Sequence, residues 1–485
     1  MTMKKLPELI FTKSRPGKVG YSFSEPNMKN VAPAVAADKL RSAAGVVDFP
    51  ELSEVEIVRH YTALAHLNYS VDEGFYPLGS CTMKYNPKIN EKIADLESLQ
   101  AHPSAPRATV QGNLEIIKTL EEWLMALTGL AGFSLLPAAG AHGEFTGMLI
   151  VRKFLQSQGN PRQVVLVPDS SHGTNPASAH FAGYEVRQIA SNAEGILDAE
   201  SLKPHLNDQV AALMMTNPNT LGIFERHIVE IAELLHKNGS LLYMDGANLN
   251  ALLGVVKPGD LGVDILHLNL HKTFSTPHGG GGPGSGPVGV NDRLLPFLPV
   301  PRIERRDGQL TVTYRSGQSI GRIKNFHGQF AVMVRALAYL MTLGRENISR
   351  VAEDAVLNAN YLRRRLEGVL NISYPSPTMH EVVFSDKNLP VKTLDIAKRL
   401  LDYGYHPFTI YFPLIVHGAM MIEPTETESK ETLDDFVATM KKILQEAAEN
   451  PPLLETAPHS TPVRRLDETL AARQLTLRWK KEGTA

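Results

Sequence analysis

The chain has 485 residues, too many for one hydrophobic core, so two or three domains are expected. Apolar residues make up 43% and charged residues 21%, with a formal net charge of -2; this balance gives no case for nucleic acid or an acidic membrane surface as the main partner. The single cysteine, Cys81, excludes an internal disulfide and fits a reducing compartment.

The opening MTMKKLPELIFTKSRPGKVG has two early lysines but no long apolar core after them. It reads neither as a secretory signal nor as an Arg/Ser-rich, acid-poor transit peptide. No window approaches about 18 consecutive apolar residues, so no membrane span is predicted, and a cytoplasmic location is expected. Residues 1–90 are rich in Pro, Gly, Ser and Asn, with one helical patch at Glu54–His66. They read as an extended arm.

From Glu91 the pattern becomes regular. Leu114, Ile117, Leu120 and Leu124 predict a helix over Asn113–Leu127. Val164–Val167 and Ala211–Met215 predict strands. Arg226–Lys237 predicts an amphipathic helix closed by Asn238-Gly239. Strands at Leu241–Met244 and Ile265–Leu268 follow. Strands alternating with helices imply an α/β domain over 91–330 with a mostly parallel sheet. In such sheets ligands sit at the carboxyl ends of the strands. Helical stretches at Gln329–Gly344 and Val351–Gly368, a strand at Glu381–Phe384, a helix at Val391–Tyr403 and a strand at Ala419–Ile422 predict a smaller α+β domain over 331–449. Residues 450–485 read as a surface tail.

Four loops hold residues able to do chemistry. LLPAAGAHGEFTG (Leu135–Gly147) places small residues before a helical run at Glu144–Phe154, and free backbone N–H groups at a helix start can cradle phosphate. Alone, it is an ordinary glycine-rich helix start. VPDSSHGTNPASA (Val167–Ala179) places His172 after a strand, where an imidazole could lie on an aromatic ring; a lone His more often caps or bonds a carbonyl. YMDGANLN (Tyr243–Asn250) ends an apolar strand in Asp245, where an unpaired carboxylate would be costly, although Asp before Gly commonly caps a turn. Finally, Lys272 follows the strand at Ile265–Leu268, flanked by His271 and Thr273. Such a lysine is usually solvated, but when desolvated it can form Schiff bases. The glycines from Gly279 to Gly286 would let the backbone approach a flat ligand. His267 and His271 are four apart but lie in a strand, without HExxH, so a metal site is not favoured.

In this order, a phosphate cradle, a stacking His, a strand-end Asp and a strand-end Lys are the four handles that hold pyridoxal 5'-phosphate. Their spacing is that of the fold-type I pyridoxal-phosphate enzymes, the aspartate-aminotransferase-like fold. The stretches FYPLGSCTMKYNPK (Phe75–Lys88), PAAGAHGE (Pro137–Glu144), SHGTNPASA (Ser171–Ala179), TNPNTLG (Thr216–Gly222), NLHKTFSTPHGGGGPG (Asn269–Gly284) and FPLIVHGAMMIEPTETESK (Phe412–Lys430) closely resemble the glycine dehydrogenase (decarboxylating) family, the P-proteins of the glycine cleavage system. The likeness spans nearly the whole chain and is to subunit 2 of the two-chain form. One departure is His417, where the motif usually has an acidic residue.

The resemblance implies the activity: decarboxylation of glycine, with transfer of the aminomethyl group to the lipoyl arm of H-protein. It implies a partner, subunit 1, in an α2β2 assembly. It also implies roles. Lys272 resembles the Schiff-base lysine, Asp245 the partner of the pyridine nitrogen and His172 the ring-stacking residue. Ala139, Gly140 and Ala141 resemble the phosphate loop, and Thr216, Asn217, Asn248 and His271 fall where such enzymes contact the cofactor. Ser80, Cys81, Thr82 and Lys84 lie in an arm segment expected near the substrate. A rival reading is another fold-type I enzyme, an aminotransferase or a cysteine desulfurase; no Arg suitably placed for an aminotransferase substrate is found between Glu381 and Lys430. A non-catalytic scaffold is a third, and the intact cofactor lysine argues against it.

Overall fold

The computed structural model describes residues 6–21, 49–279 and 284–477. The chain forms two compact units, one over Gly74–Ala457 and one joining the residues up to Glu73 with those from Pro458. In the latter, the helix Glu54–Ala65 starts on a capping box, with Ser53 accepting from the Glu56 N–H and Glu56 answering to the Ser53 N–H.

Among its described residues the larger unit carries thirteen strands. Seven form its main sheet: β1 (Gly132–Ser134), β2 (Val164–Pro168), β3 (Glu185–Ile189), β4 (Val210–Thr216), β5 (Leu241–Gly246), β6 (Ile265–Leu268) and β7 (Val288–Val290), in the order β1-β7-β6-β5-β4-β2-β3. β6, β5, β4, β2 and β3 run parallel, and β7 is antiparallel to both of its neighbours. A hairpin of β8 (Arg302–Arg306) and β9 (Gln309–Thr313) stands apart. β10 (Asn371–Ile372), β11 (Val382–Ser385), β12 (Thr409–Ile410) and β13 (Ala419–Ile422) make an antiparallel sheet in the order β10-β11-β13-β12.

The central strands are apolar on both faces because both faces are covered. Leu166, Leu213, Met215, Leu242, Met244 and Leu266 pack into one layer, with the helices Gln111–Thr128 and Ile228–Lys237. Val165, Val167, Met214, Tyr243 and Ile265 pack into the other, against the helix Gly140–Ser157. Each such side chain contributes roughly 1.5–3 kcal/mol on leaving water, so a one-residue slip would be costly. The predicted mostly parallel α/β sheet is therefore present.

Two elements differ from expectation. The stretches read as two helices form one element, Phe330–Leu366, kinked at Gly344, whose φ of 66° no ordinary helical residue adopts. The segment read as tail from residue 450 begins as the helix Pro451–Glu455, and its Leu454 is buried in the core of the smaller sheet.

Candidate active site

Strand ends and one helix start converge on a cavity of about 180 Å3. β1 leads into the helix Gly140–Ser157, whose N-cap residue Ala139 offers no side-chain cap. Gly140 and Ala141 line the cavity. A Cβ on Gly140 would stand 2.4 Å from Asn269 Nδ2 and 3.4 Å from His267 Nε2, so a larger residue there would push the Asn269 amide out of place. The leading N–H groups of an 18-residue helix carry partial positive charge and suit an anion.

β2 delivers His172, which is exposed and lines the cavity. Its Nδ1 lies 2.9 Å from Thr174 Oγ1, and Thr174 donates to the buried Glu144. The imidazole meets Phe412 edge-on, with ring centroids 5.4 Å apart. β4 ends in Thr216, which lines the cavity, and the adjacent Asn217 is fully buried. β5 carries Asp245 one residue from its end; it is buried and accepts from Asn175 Nδ2 and the Ala247 N–H, both at 2.9 Å. Nε2 of His267 lies 3.4 Å from its other side, and Nδ1 of His267 lies 2.7 Å from the Tyr243 hydroxyl.

The segment after β6 supplies Asn269, His271 and Lys272. Lys272 is half-buried, and its Nζ makes no hydrogen bond to a described residue. Burial, with His278 and Lys272 nearby, pushes the His271 imidazole down to about 3, and burial and Lys272 push His278 to about 4. Both rings are therefore neutral near pH 7. Of the glycine run, residues 280–283 lie outside the described residues.

The structure brings Ser80, Gly140, Ala141, His172, Thr216, Asp245, Asn248, His271 and Lys272 around one cavity. Ala139 and Asn217 adjoin it in the chain. Cys81 and Thr82 do not line it; burial pushes the Cys81 thiol up, and the Lys272 charge offsets part of that rise. Lys84 is turned elsewhere. Its buried amine donates to Asn250 Oδ1 at 2.8 Å and to Glu426 Oε1 at 2.7 Å, and lies 3.2 Å from the Tyr339 hydroxyl. Arg399, in the span searched for a substrate arginine, is held by Glu446 and Asp402.

Sequence reasoning missed Glu144, Asn175, His267 and Asn269. His267 sits in an apolar strand, where a polar residue at a fully covered position was the available signal.

The donor set fits pyridoxal phosphate: an amine, a buried carboxylate and an uncapped helix start. Buried Thr216 Oγ1, Asn217 Nδ2 and Asn269 Oδ1 have no partner among the described residues and would be satisfied by a polar ligand. A second cavity, of about 480 Å3, is lined largely by apolar residues such as Leu114, Ile117, Phe133 and Leu135, and by none of the predicted site residues.

Comparisons with known proteins bear on the family and the fold. A family model described as glycine dehydrogenase, C-terminal domain, matches residues 351–456, and one described as aminotransferase class-V matches residues 146–281. The chain is 55% identical to the probable glycine dehydrogenase (decarboxylating) subunit 2 of Caldanaerobacter subterraneus subsp. tengcongensis, covering 99% of this chain and 100% of that one. It is 54% identical to the protein of the same name from Kosmotoga olearia, covering 97% and 99%. The fold resembles the crystal structure of an inhibitor-bound glycine decarboxylase (P-protein), with a TM-score of 0.70 and 21% identity over 84% of this chain and 93% of that one. It also resembles the cysteine desulfurase CsdA of Escherichia coli, with a TM-score of 0.61 and 15% identity over 79% and 98%. The fold is thus the fold-type I, aminotransferase-like one.

Proposed function

The chain belongs to the glycine dehydrogenase (decarboxylating) subunit 2 family, and from that membership we propose that it decarboxylates glycine with pyridoxal 5'-phosphate and passes the aminomethyl group to the lipoyl arm of H-protein. Its partner is glycine dehydrogenase subunit 1, in an α2β2 assembly, and its place of work is the cytoplasm. When bound, the cofactor supplies a sink for the electron pair released as carbon dioxide leaves.

The chain's own residues supply the rest. Lys272 offers the amine that anchors the cofactor aldehyde. Asp245 holds a proton on the ring nitrogen, and His267, Asn175 and the Ala247 N–H hold Asp245 in place. His172 covers one ring face. Ala139, Gly140 and Ala141 present the helix start to the phosphate. Thr216, Asn217, Asn248 and His271 supply polar contacts around the ring, His271 as a neutral imidazole. Ser80 closes the substrate side, with Cys81 and Thr82 behind it.

The supporting observation is the meeting of Lys272 and Asp245, from adjacent strands, in one cavity that opens on an uncapped helix start. Borohydride treatment of the purified, cofactor-loaded protein tests it. Reduction is expected to fix the cofactor on the peptide carrying Lys272. Lys272→Ala is expected to lose both the visible absorbance and glycine–bicarbonate exchange measured with subunit 1 and lipoylated H-protein. Exchange near the wild-type rate in that variant would refute the assignment.

A further inference from the structure

Behind the cavity lies a second cluster that the reading above leaves unused. β11 and β13 pair with Val382 opposite Ile422. The residues flanking that pair, Glu381 and Glu423, are both completely buried. One carboxyl oxygen of each, and a ring nitrogen of the fully buried His380, lie within 4.8 Å of one another. Each glutamate uses its other oxygen identically. Glu381 Oε2 accepts from the Ser80 N–H and Glu423 Oε2 from the Thr82 N–H, both at 2.8 Å. Those two amides belong to a turn with positive φ at Ser80 (64°) and Thr82 (49°), a conformation that non-glycine residues seldom hold unaided. The remaining oxygens, Glu381 Oε1 and Glu423 Oε1, have no hydrogen-bond partner among the described residues, and His380 Nε2 lies 3.8 Å from Glu381 Oε1.

Two buried carboxyl groups within 4.8 Å of each other repel when both are ionised, and a proton on one of them relieves that repulsion. We propose that Glu381 and Glu423 share a single proton and act as positioning residues, a clamp that holds the Ser80–Thr82 turn beside Lys272. Burial pushes Glu381 well above its ordinary range and Glu423 up to about 7, with Lys272 restraining both. Facing the pair are Lys272, Lys84, Cys81, His380, Glu426 and, against the turn, His278. His380 and His278 are neutral near pH 7. Among the described residues, the amines of Lys272 and Lys84 are the cations set against the pair, and Lys84 is already paired with Glu426. As pH rises through about 7, Glu423 ionises and one proton is left to the pair, on Glu381; when that proton leaves at higher pH a second negative charge appears and the clamp loosens.

The role in the reaction rests on the function proposed above; the clamp does not, so it is tested in cofactor-free protein. Amide hydrogen exchange of the 79–84 segment, corrected for the intrinsic rate, is followed from pH 6 to 9. In the wild type it is expected to stay low through pH 7, where Glu423 alone ionises, and to rise toward the alkaline end as the proton on Glu381 leaves, by up to about tenfold per pH unit. Glu423→Gln keeps an acceptor for Thr82 and gives Glu381 a donor, so protection is expected to stay flat. Glu423→Ala is expected to exchange rapidly throughout; should it fail to fold, the wild-type and Gln profiles decide. Identical profiles for those two would overturn the proposal. So would a stoichiometric divalent cation in the purified protein that Glu381→Gln removes, because the same three side chains could chelate one.

Discussion

Asp245 and His267 sit directly opposite one another on neighbouring strands, with Oδ1 of the first 3.4 Å from Nε2 of the second. Both are buried. Burial alone would raise the Asp245 carboxyl, but the His267 imidazole, the Asn175 amide and the Ala247 N–H outweigh it and leave the carboxyl below its ordinary range. The site therefore stores a negative charge where a ring nitrogen would need one. Asp245→Asn preserves the shape and removes the charge. The variant is expected to keep its bound cofactor while glycine–bicarbonate exchange falls about 100-fold or more. Absorbance titration and exchange assays on one preparation separate the two effects, and unimpaired turnover would remove the role given to Asp245.

Gly140 is the point where the helix start meets β6. An added Cβ there would stand 2.4 Å from Asn269 Nδ2. Gly140→Val is expected to weaken cofactor binding about tenfold, the scale of one helix-terminus interaction with an anion. The cofactor dissociation constant checks it. Retention of wild-type affinity would place the phosphate elsewhere.

The strands at the centre of the sheet were legible because they are short apolar runs covered on both faces; Ile265–Leu268 and Ala419–Ile422 match their observed bounds. The edges were not. β3 alternates and is largely exposed, and β1 and β7 have three residues each, held by their pairing rather than by propensity. The hairpin of β8 and β9 was overlooked although Asp307-Gly308 is a turn signal between two alternating stretches. In the site, the strand-end residues announced themselves by position. Their supports did not: Glu144 lies inside a helix, and Glu381 and Glu423 flank strands, so only tertiary packing shows what they face.

His236 gives a pH signature outside the site. Its Nε2 lies 2.8 Å from Asp264 Oδ2, and that hydrogen bond raises the imidazole above its ordinary value. A raised histidine stabilises the fold fully below its unfolded value near 6.5 and stops doing so as pH climbs through the folded one. His236→Ala is expected to lower the melting temperature more at pH 6 than at pH 9. The side chain is 36% exposed, so the difference amounts to about 1 kcal/mol or less. Equal losses at both pH values would mean that the ring stabilises by packing alone.

Lys84 separates a structural lysine from a catalytic one. Sequence placed it near the substrate, whereas its buried amine is engaged with Asn250, Glu426 and Tyr339. Desolvation favours the neutral amine, and Glu426 works against it, so the pair stands or falls together. Lys84→Ala would leave Glu426 without its cation and is expected to cost about 3 kcal/mol of stability. The double variant Lys84→Met with Glu426→Gln removes both charges and should recover part of that loss. Denaturant unfolding measures both. The Michaelis constant for glycine in the double variant then decides the role: if it is unchanged, Lys84 anchors the segment after the Ser80–Thr82 turn, and a large rise would mean that the amine leaves its three partners to meet the substrate.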